Sequence, residues 1–360
     1  MARIGVAGAA GFIGSHVVEV LRGSGHDVLG VDRPGADLGV ARAAGAATTE
    51  APLRSDDEVA SVLAGCDCVV NATGLFDLRA SKEALDAVNV ELARRIVVGA
   101  RAAGVRRVVH VSSVAVYGAP ERLPAREGDA LQPRIAYEHS KLAGERAAMR
   151  EHGRGVEVAV LRPTLVYGPR SRYGHAMLLA MAAQLAAFGR RRVVFLRGGP
   201  VSHHVHVRDV ARAAELLALH PHAAGRAFNV ADEQPIGTGD LACAIFEAAG
   251  LEIAFGAQLP LAWSLFRRGV RRLPPAWLAR LDRQVERGHR ALVRRGNGGV
   301  LCPSLDPDWL AYFTEEFVYD CSALRGLGFR CEHPSFVTAF PEVARAYREA
   351  GWLPAPSTAS

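Results

Sequence analysis

The chain has 360 residues, of which 49% are hydrophobic and 22% charged, an ordinary globular composition with enough length to bury a large core. The net charge of +6 is concentrated in one place: between Ala262 and Gly298 ten arginines stand against two acids, a local +8 that leaves −2 for the remainder. That argues against nucleic-acid binding, since neither a nucleic-acid fold nor aromatic interleaving accompanies the basic segment.

In chain order, Arg3 to Ala7 predicts a first strand and Phe12 to Arg22 a first helix. The opening residues run straight into that strand with no charged region followed by a long apolar one, so no signal peptide is expected. Asp27 to Val31 predicts the second strand, and Ser55-Asp-Asp-Glu58 has the spacing of a capping box that opens a helix. Asp67 to Asn71, Arg107 to Val111 and Glu157 to Leu161 are near-continuous apolar runs, as buried parallel strands should be. Long helices are predicted over Lys82 to Ala103 and Ile135 to His152. The alternation predicts an α/β fold, a Rossmann-type doubly wound parallel sheet of about seven strands.

Beyond Arg162-Pro163 the pattern loosens. An apolar helix (Ala176 to Phe188) is too short, and too interrupted by Gln184, to span a bilayer. A strand at Val193 to Leu196, a polar strand at Ser202 to Val207, a helix at Asp209 to Leu219 and a strand at Phe228 to Val230 follow. Residues 240–250 read as helical, 260–295 as helical and basic, and 306–352 as mixed. In the polar strand His204 and His206 share a face opposite His203, with no acid or cysteine near in sequence, so a polar strand is expected there rather than a metal site. The six cysteines show no zinc spacing and are expected to be reduced thiols in a cytoplasmic protein.

Gly8, Gly11 and Gly14 lie between the first strand and the first helix, the context of a dinucleotide-binding loop. The glycines let the backbone approach a pyrophosphate, which Phe12 and Ile13 meet at the helix N-terminus. Asp32, at the end of the second strand, can accept from ribose hydroxyls and repel a 2′-phosphate, which favours NAD. Arg33 follows it and could meet such a phosphate, so NADP stays open. Asn71, Ala72 and Thr73 end the next strand and are expected to line the other side of the cofactor. Asn89 is either a solvent-facing spectator or an organiser of backbone and water near the site. Ser112 and Ser113 end a buried strand at the edge where open α/β sheets bind ligands. Tyr137 and Lys141 stand four apart on a predicted helix and so project together. The neighbouring ammonium is expected to lower the tyrosine pKa, making Tyr137 a proton donor or acceptor while a serine hydroxyl holds the reacting oxygen.

With these residues in view the chain resembles the extended short-chain dehydrogenases/reductases from its first strand to about Trp352. The likeness includes Val111-Ser-Ser-Val-Ala-Val-Tyr-Gly118, Tyr137-Glu-His-Ser-Lys141, Leu161-Arg-Pro-Thr-Leu-Val-Tyr-Gly-Pro169, His206-Val-Arg-Asp209 and Phe228-Asn-Val-Ala231. It implies Ser113 as catalytic serine, with Ser112 more structural, Tyr137 as acid/base, Lys141 also on the nicotinamide ribose, and Pro163 beside the nicotinamide. Substrate is expected at Ser113, Val114, Tyr137, Thr164 and Leu165. The implied domains are a nucleotide-binding one (1–162 and 205–232) and a substrate one (163–204 and 233–352), followed by a disordered tail (353–360).

Three departures from the family pattern stand out. The acid that contacts adenine is replaced by Pro52. Two groups that hold the diphosphate of nucleotide sugars, an asparagine and an arginine, are replaced by Leu165 and Ser202. Their loss would cost several kcal/mol of binding to a dianion. Ala176 to Phe188, where the family builds its substrate pocket, is apolar, and Leu259-Pro-Leu-Ala-Trp-Ser-Leu-Phe266, followed by arginines, resembles the C-terminal region of 3β-hydroxysteroid dehydrogenases. The expectation is an NAD-dependent oxidoreductase acting on a bulky apolar secondary alcohol or ketone, a 3β-hydroxysteroid or sterol. The alternative is a nucleotide-sugar epimerase, dehydratase or reductase. The segment 260–295 reads as a lid or a peripheral membrane contact, and a homodimer is open.

Overall fold

Val6 lies beside Val70, Val70 beside Val109, and Ala7 beside Val31, so four apolar runs of the sequence meet side by side in one parallel sheet. A computed structural model describes residues 1–256, 263–265, 268–269, 274–304 and 315–355. Its first compact unit comprises Met1–Val166, Val207–Ala231 and Tyr319–Glu332. The seven strands of that sheet are β1 (Arg3–Ala7), β2 (Asp27–Asp32), β3 (Ala47–Glu50), β4 (Cys68–Asn71), β5 (Arg107–Val111), β6 (Glu157–Pro163) and β7 (Ala227–Val230). Their spatial order is 3-2-1-4-5-6-7, reversing at β1, with every pair parallel. A reversal of that kind opens a crevice at the carboxyl ends of the strands.

The helices of this unit are α1 (Phe12–Gly23), α2 (Gly39–Ala43), α3 (Asp56–Leu63), α4 (Lys82–Asp86), α5 (Ala93–Ala102), α6 (Ala136–Met149), α7 (Val207–Leu219) and the short α8 (Ser322–Gly326). At α3, Ser55 accepts from the Glu58 N–H, while Glu58 reaches back to the Arg54 N–H at 2.7 Å, one residue beyond the usual box. Between α4 and α5 the chain makes a π-helical turn, Ala87–Leu92, where the sequence predicted one unbroken helix. Such turns concentrate at functional sites.

The second unit comprises Tyr167–His206, Asp232–Val318 and His333–Ser360. Its core packs helices His175–Ala187, Thr238–Ala248 and Phe336–Glu349, with Phe336, Phe340 and Leu241 fully buried. Arg192–Phe195 pairs in parallel with Glu252–Phe255. The helix Pro275–Arg294 takes up most of the predicted basic segment. Phe266, Arg267, Arg271 and Arg272 lie outside the described residues, whereas the Trp263 indole donates to the Arg197 carbonyl at 2.8 Å. Two expected boundaries shift. Tyr319–Glu332 joins the first unit, because Asp320 donates to Ala125 at 2.8 Å and Tyr319 pairs with Ala125. The tail is ordered through Ala355, with Leu353 buried and Ala355 N–H donating to Asn297; 356–360 lie outside the described residues. Among the described residues no helix is long and apolar enough to cross a membrane.

Candidate active site

The glycine loop is shaped by backbone crowding. Gly8 has φ +83, and a Cβ there would sit 2.9 Å from the Ala72 carbonyl and the Thr73 nitrogen. A Cβ on Gly14 would lie 2.0 Å from the Gly8 carbonyl oxygen, so α1 can pack this closely on the loop only through glycine. Gly11 is the N-cap of α1, and Phe12 and Ile13 open its first turn, where backbone N–H groups and the helix dipole favour an anion. At the end of β2, Asp32 accepts from the Ala10 N–H at 2.9 Å and the Arg33 N–H at 2.8 Å, tying its carboxylate to the loop. Arg33 itself is exposed beside it.

On the other side of the crevice, β4 ends in the buried Asn71. Its side-chain oxygen accepts from the Thr73 N–H at 3.1 Å and the Thr73 hydroxyl at 2.6 Å, folding Ala72-Thr73 back as an Asx turn. Asn89, in the π-helical turn, accepts from the Leu75 N–H at 2.8 Å and donates to the Leu75 carbonyl at 3.1 Å and to Ser140 Oγ at 2.9 Å. It is therefore an organiser, clamping the loop after β4 to α6. A Cβ on Gly74 would lie 3.6 Å from Asn89 Oδ1 and 3.8 Å from Lys141 Nζ, so this loop runs against the Lys141 ammonium.

Ser113, two residues past the end of β5, is the N-cap of the 3₁₀ turn Val114–Tyr117, in which Val114 is buried; Ser113 Oγ accepts from the Ala115 N–H at 3.1 Å and sits close enough to the Tyr137 phenol to lower its pKa. Glu138 starts α6 by accepting from the Arg134 N–H at 2.6 Å. That fixes the turn from which Tyr137 projects, edge-on to Phe76. Tyr137 is half-buried, and burial pushes its phenol well above the usual tyrosine range against the Ser113 hydroxyl, which pulls it down. The sequence led us to expect the opposite sign from Lys141. Here the Lys141 ammonium instead donates to the Val111 carbonyl at 2.8 Å, and burial brings its own pKa down to about 8, opposed by Glu145 one helical turn on.

Beneath these groups lies a buried polar chain that motif spacing alone does not announce. Ser112 Oγ donates to Glu145 at 2.8 Å, and Arg162 grips both Glu145 oxygens at 2.5 and 3.0 Å. Arg162 also donates to the Tyr117 hydroxyl at 2.8 Å, which in turn donates to Asn229 at 2.9 Å. The signal available in the sequence is the placing of Glu145 four after Lys141, on the same helix face. Beyond Arg162, Pro163 ends β6. Thr164 donates its N–H to Val230, while its buried hydroxyl has no partner among the described residues, and Leu165 is partly buried.

The glycine cradle, a carboxylate at the end of β2 and an orphaned hydroxyl at the end of β6 fit a dinucleotide cofactor laid across the strand ends. In the second unit, Ser202 Oγ shares a hydrogen bond with His204 at 3.0 Å, and His204 with His175 at 2.9 Å, so the expected polar strand is a chain of buried imidazoles.

Residues 4–231 match the model of the NAD dependent epimerase/dehydratase family. The chain is 34% identical over 261 residues to a UDP-glucose 4-epimerase of Mycolicibacterium smegmatis, covering 68% of this chain and 82% of that protein. It is 28% identical over 232 residues to sterol demethylase protein B of Methylococcus capsulatus, covering 63% and 69%. DesIV, a dTDP-glucose 4,6-dehydratase from Streptomyces venezuelae solved with NAD and TYD bound, superposes with a TM-score of 0.69 at 22% identity, covering 98% of both chains. The chain belongs to the NAD-dependent epimerase/dehydratase family, and it is an NAD-dependent enzyme.

Proposed function

We propose that this enzyme interconverts a secondary alcohol and a ketone on a bulky apolar substrate, with Tyr137 as acid/base, Ser113 holding the reacting oxygen and Lys141 tuning the pair. The observation that carries the reading is the convergence of the Ser113 hydroxyl on the Tyr137 phenol, with the buried Lys141 ammonium one helical turn away. When bound, NAD supplies the hydride acceptor or, reduced, the donor. The raised pKa of Tyr137 keeps it protonated, the form that gives a proton to a carbonyl oxygen in reduction. In the oxidation direction the same phenol must first lose its proton, a loss the Ser113 hydroxyl favours.

The apolar substrate, a 3β-hydroxysteroid or sterol, is supported by two positions and one relative. Leu165 offers no donor to a phosphate, and the Ser202 hydroxyl is committed to His204. Sterol demethylase protein B is the relative. The second reading, a nucleotide-sugar substrate, is favoured by the identity to the mycobacterial epimerase.

Tyr137→Phe should lower kcat by about 10²- to 10⁴-fold, the range of general acid–base catalysis, and leave the NAD Kd nearly unchanged. Near-normal turnover in this variant would refute the acid/base assignment. A thermal-shift panel with NAD present separates the substrates: stabilisation by 3β-hydroxysteroids supports the apolar reading, and stabilisation by UDP- or dTDP-sugars alone replaces it.

A further inference from the structure

The helix Pro275–Arg294 carries Arg280, Arg283, Arg287, Arg290 and Arg294, all exposed and spaced alternately three and four apart. At 3.6 residues per turn that spacing draws one straight ridge, about 21 Å long from the first to the last. The opposite face is taken. Leu278 and Leu292 are buried, Gln184 from the helix His175–Ala187 donates to the Val285 carbonyl at 3.0 Å, and Gly288 leaves room for Gln184 and Phe188. Docking through that face turns the arginines outward. Arg290 is ion-paired with Glu286, whereas Arg280, Arg283, Arg287 and Arg294 have no acidic partner among the described residues.

A solvated helical face is ordinarily laced with both signs of charge. This one is dominated by cations, Glu286 being the acid paired into it, and apolar groups stand at its two edges: Trp277 is 57% exposed one turn before Arg280, and Val293 is 52% exposed beside Arg294. Cations in a row next to an exposed indole suit a bilayer surface, where arginines meet anionic headgroups and tryptophan sits at headgroup depth. A soluble polyanion would use the cations but has no need of the indole.

We infer that the arginine ridge of Pro275–Arg294 docks the enzyme reversibly on an anionic lipid bilayer. The inference is independent of the substrate reading, because it rests on the exposed face of one helix.

The test is co-sedimentation of the full chain with vesicles of phosphatidylglycerol and phosphatidylcholine, and of phosphatidylcholine alone, at low and high salt. The protein should pellet with the anionic vesicles at low salt, stay in the supernatant with the neutral ones, and be released by high salt. Arg283→Glu with Arg287→Glu should lower partition at least about 10-fold without changing turnover in solution. Arg283→Gln with Arg287→Gln should give a smaller loss, which keeps the test usable if the reversal variant folds poorly. Trp277→Ala should weaken binding several-fold and leave it salt-sensitive. Retention of the wild type in the supernatant at low salt, or equal pelleting with neutral vesicles, would overturn the inference. So would tighter binding to heparin than to anionic vesicles at the same salt, which would make the partner a soluble polyanion.

Discussion

The carbonyl oxygen of Asn89 lies 1.9 Å from where a Cβ on Gly144 would be. The π-helical turn therefore touches α6 backbone to backbone, and this contact lets the Asn89 side chain reach Ser140 and Leu75 at once. Gly144→Ala should push α6, and with it Tyr137 and Lys141, off that turn. We expect a loss of about 1–3 kcal/mol in a denaturant melt, the scale of overpacking, with a fall in kcat beyond what the stability loss explains. A variant as stable and active as the wild type would show that the contact relaxes at no cost.

Glu145→Gln leaves Arg162 buried without its counter-charge, and one of the two positions facing Arg162 and Ser112 becomes a donor. Removing one partner of a buried pair costs about 3–5 kcal/mol, so this substitution should be among the most destabilising single changes in the first unit. Arg162→Lys should also fail to restore stability, since a lysine cannot span both carboxylate oxygens and the Tyr117 hydroxyl. Urea melts of the two variants decide it.

Burial holds His175 and His110 down to about 3 and His204 well below the histidine value of 6.5. The folded state therefore binds fewer protons than the unfolded state between these limits. Stability is fully present above pH 6.5 and is lost as the pH falls, by about 1.4 kcal/mol per pH unit for each histidine. The melting temperature should drop steeply from pH 6.5 towards pH 4, and His175→Gln should flatten the slope. Lys141 acts in the same direction at higher pH. Its pKa of about 8 lies below the ordinary lysine value, so the cost of burying its charge is full below pH 8 and is relieved as the pH rises towards 10.5.

Asp32→Asn retains the shape of the side chain but turns an amide NH₂ towards one of two backbone donors, Ala10 or Arg33. NAD affinity should fall by about 10-fold, and the preference for NAD over NADP should shrink because the charge that repels a 2′-phosphate is gone. Fluorescence titration with the two reduced cofactors measures both effects; an unchanged ratio would assign cofactor choice elsewhere.

Much of this was legible from the residues. Val6, Val31, Val70 and Val109 announced the sheet because buried parallel strands are apolar on both faces, and Tyr137 and Lys141 lie within one helical turn as their spacing requires. The third strand was faint, since Ala47-Thr-Thr-Glu50 at the sheet edge has no inward face to fill. The π-helical turn left no trace in the apolar period, because one extra residue per turn displaces a helix face without changing its composition. The Tyr137 shift was misread because neighbouring charge can be counted along a sequence, whereas enclosure by the fold cannot.

Asn229 is fully buried, and its amide donates to the carbonyls of Ala125 at 3.4 Å and of Asp320 at 3.2 Å. The better of these two acceptors belongs to the stretch Tyr319–Glu332, which reaches the ribosome exit long after β7 has emerged. During vectorial synthesis the nucleotide-binding sheet therefore completes the hydrogen bonds of Asn229 only when this late piece of chain arrives. A chain that stops short of Asp320 lacks this acceptor, so the last bond of the sheet's buried amide is made by one of the last segments to be synthesised.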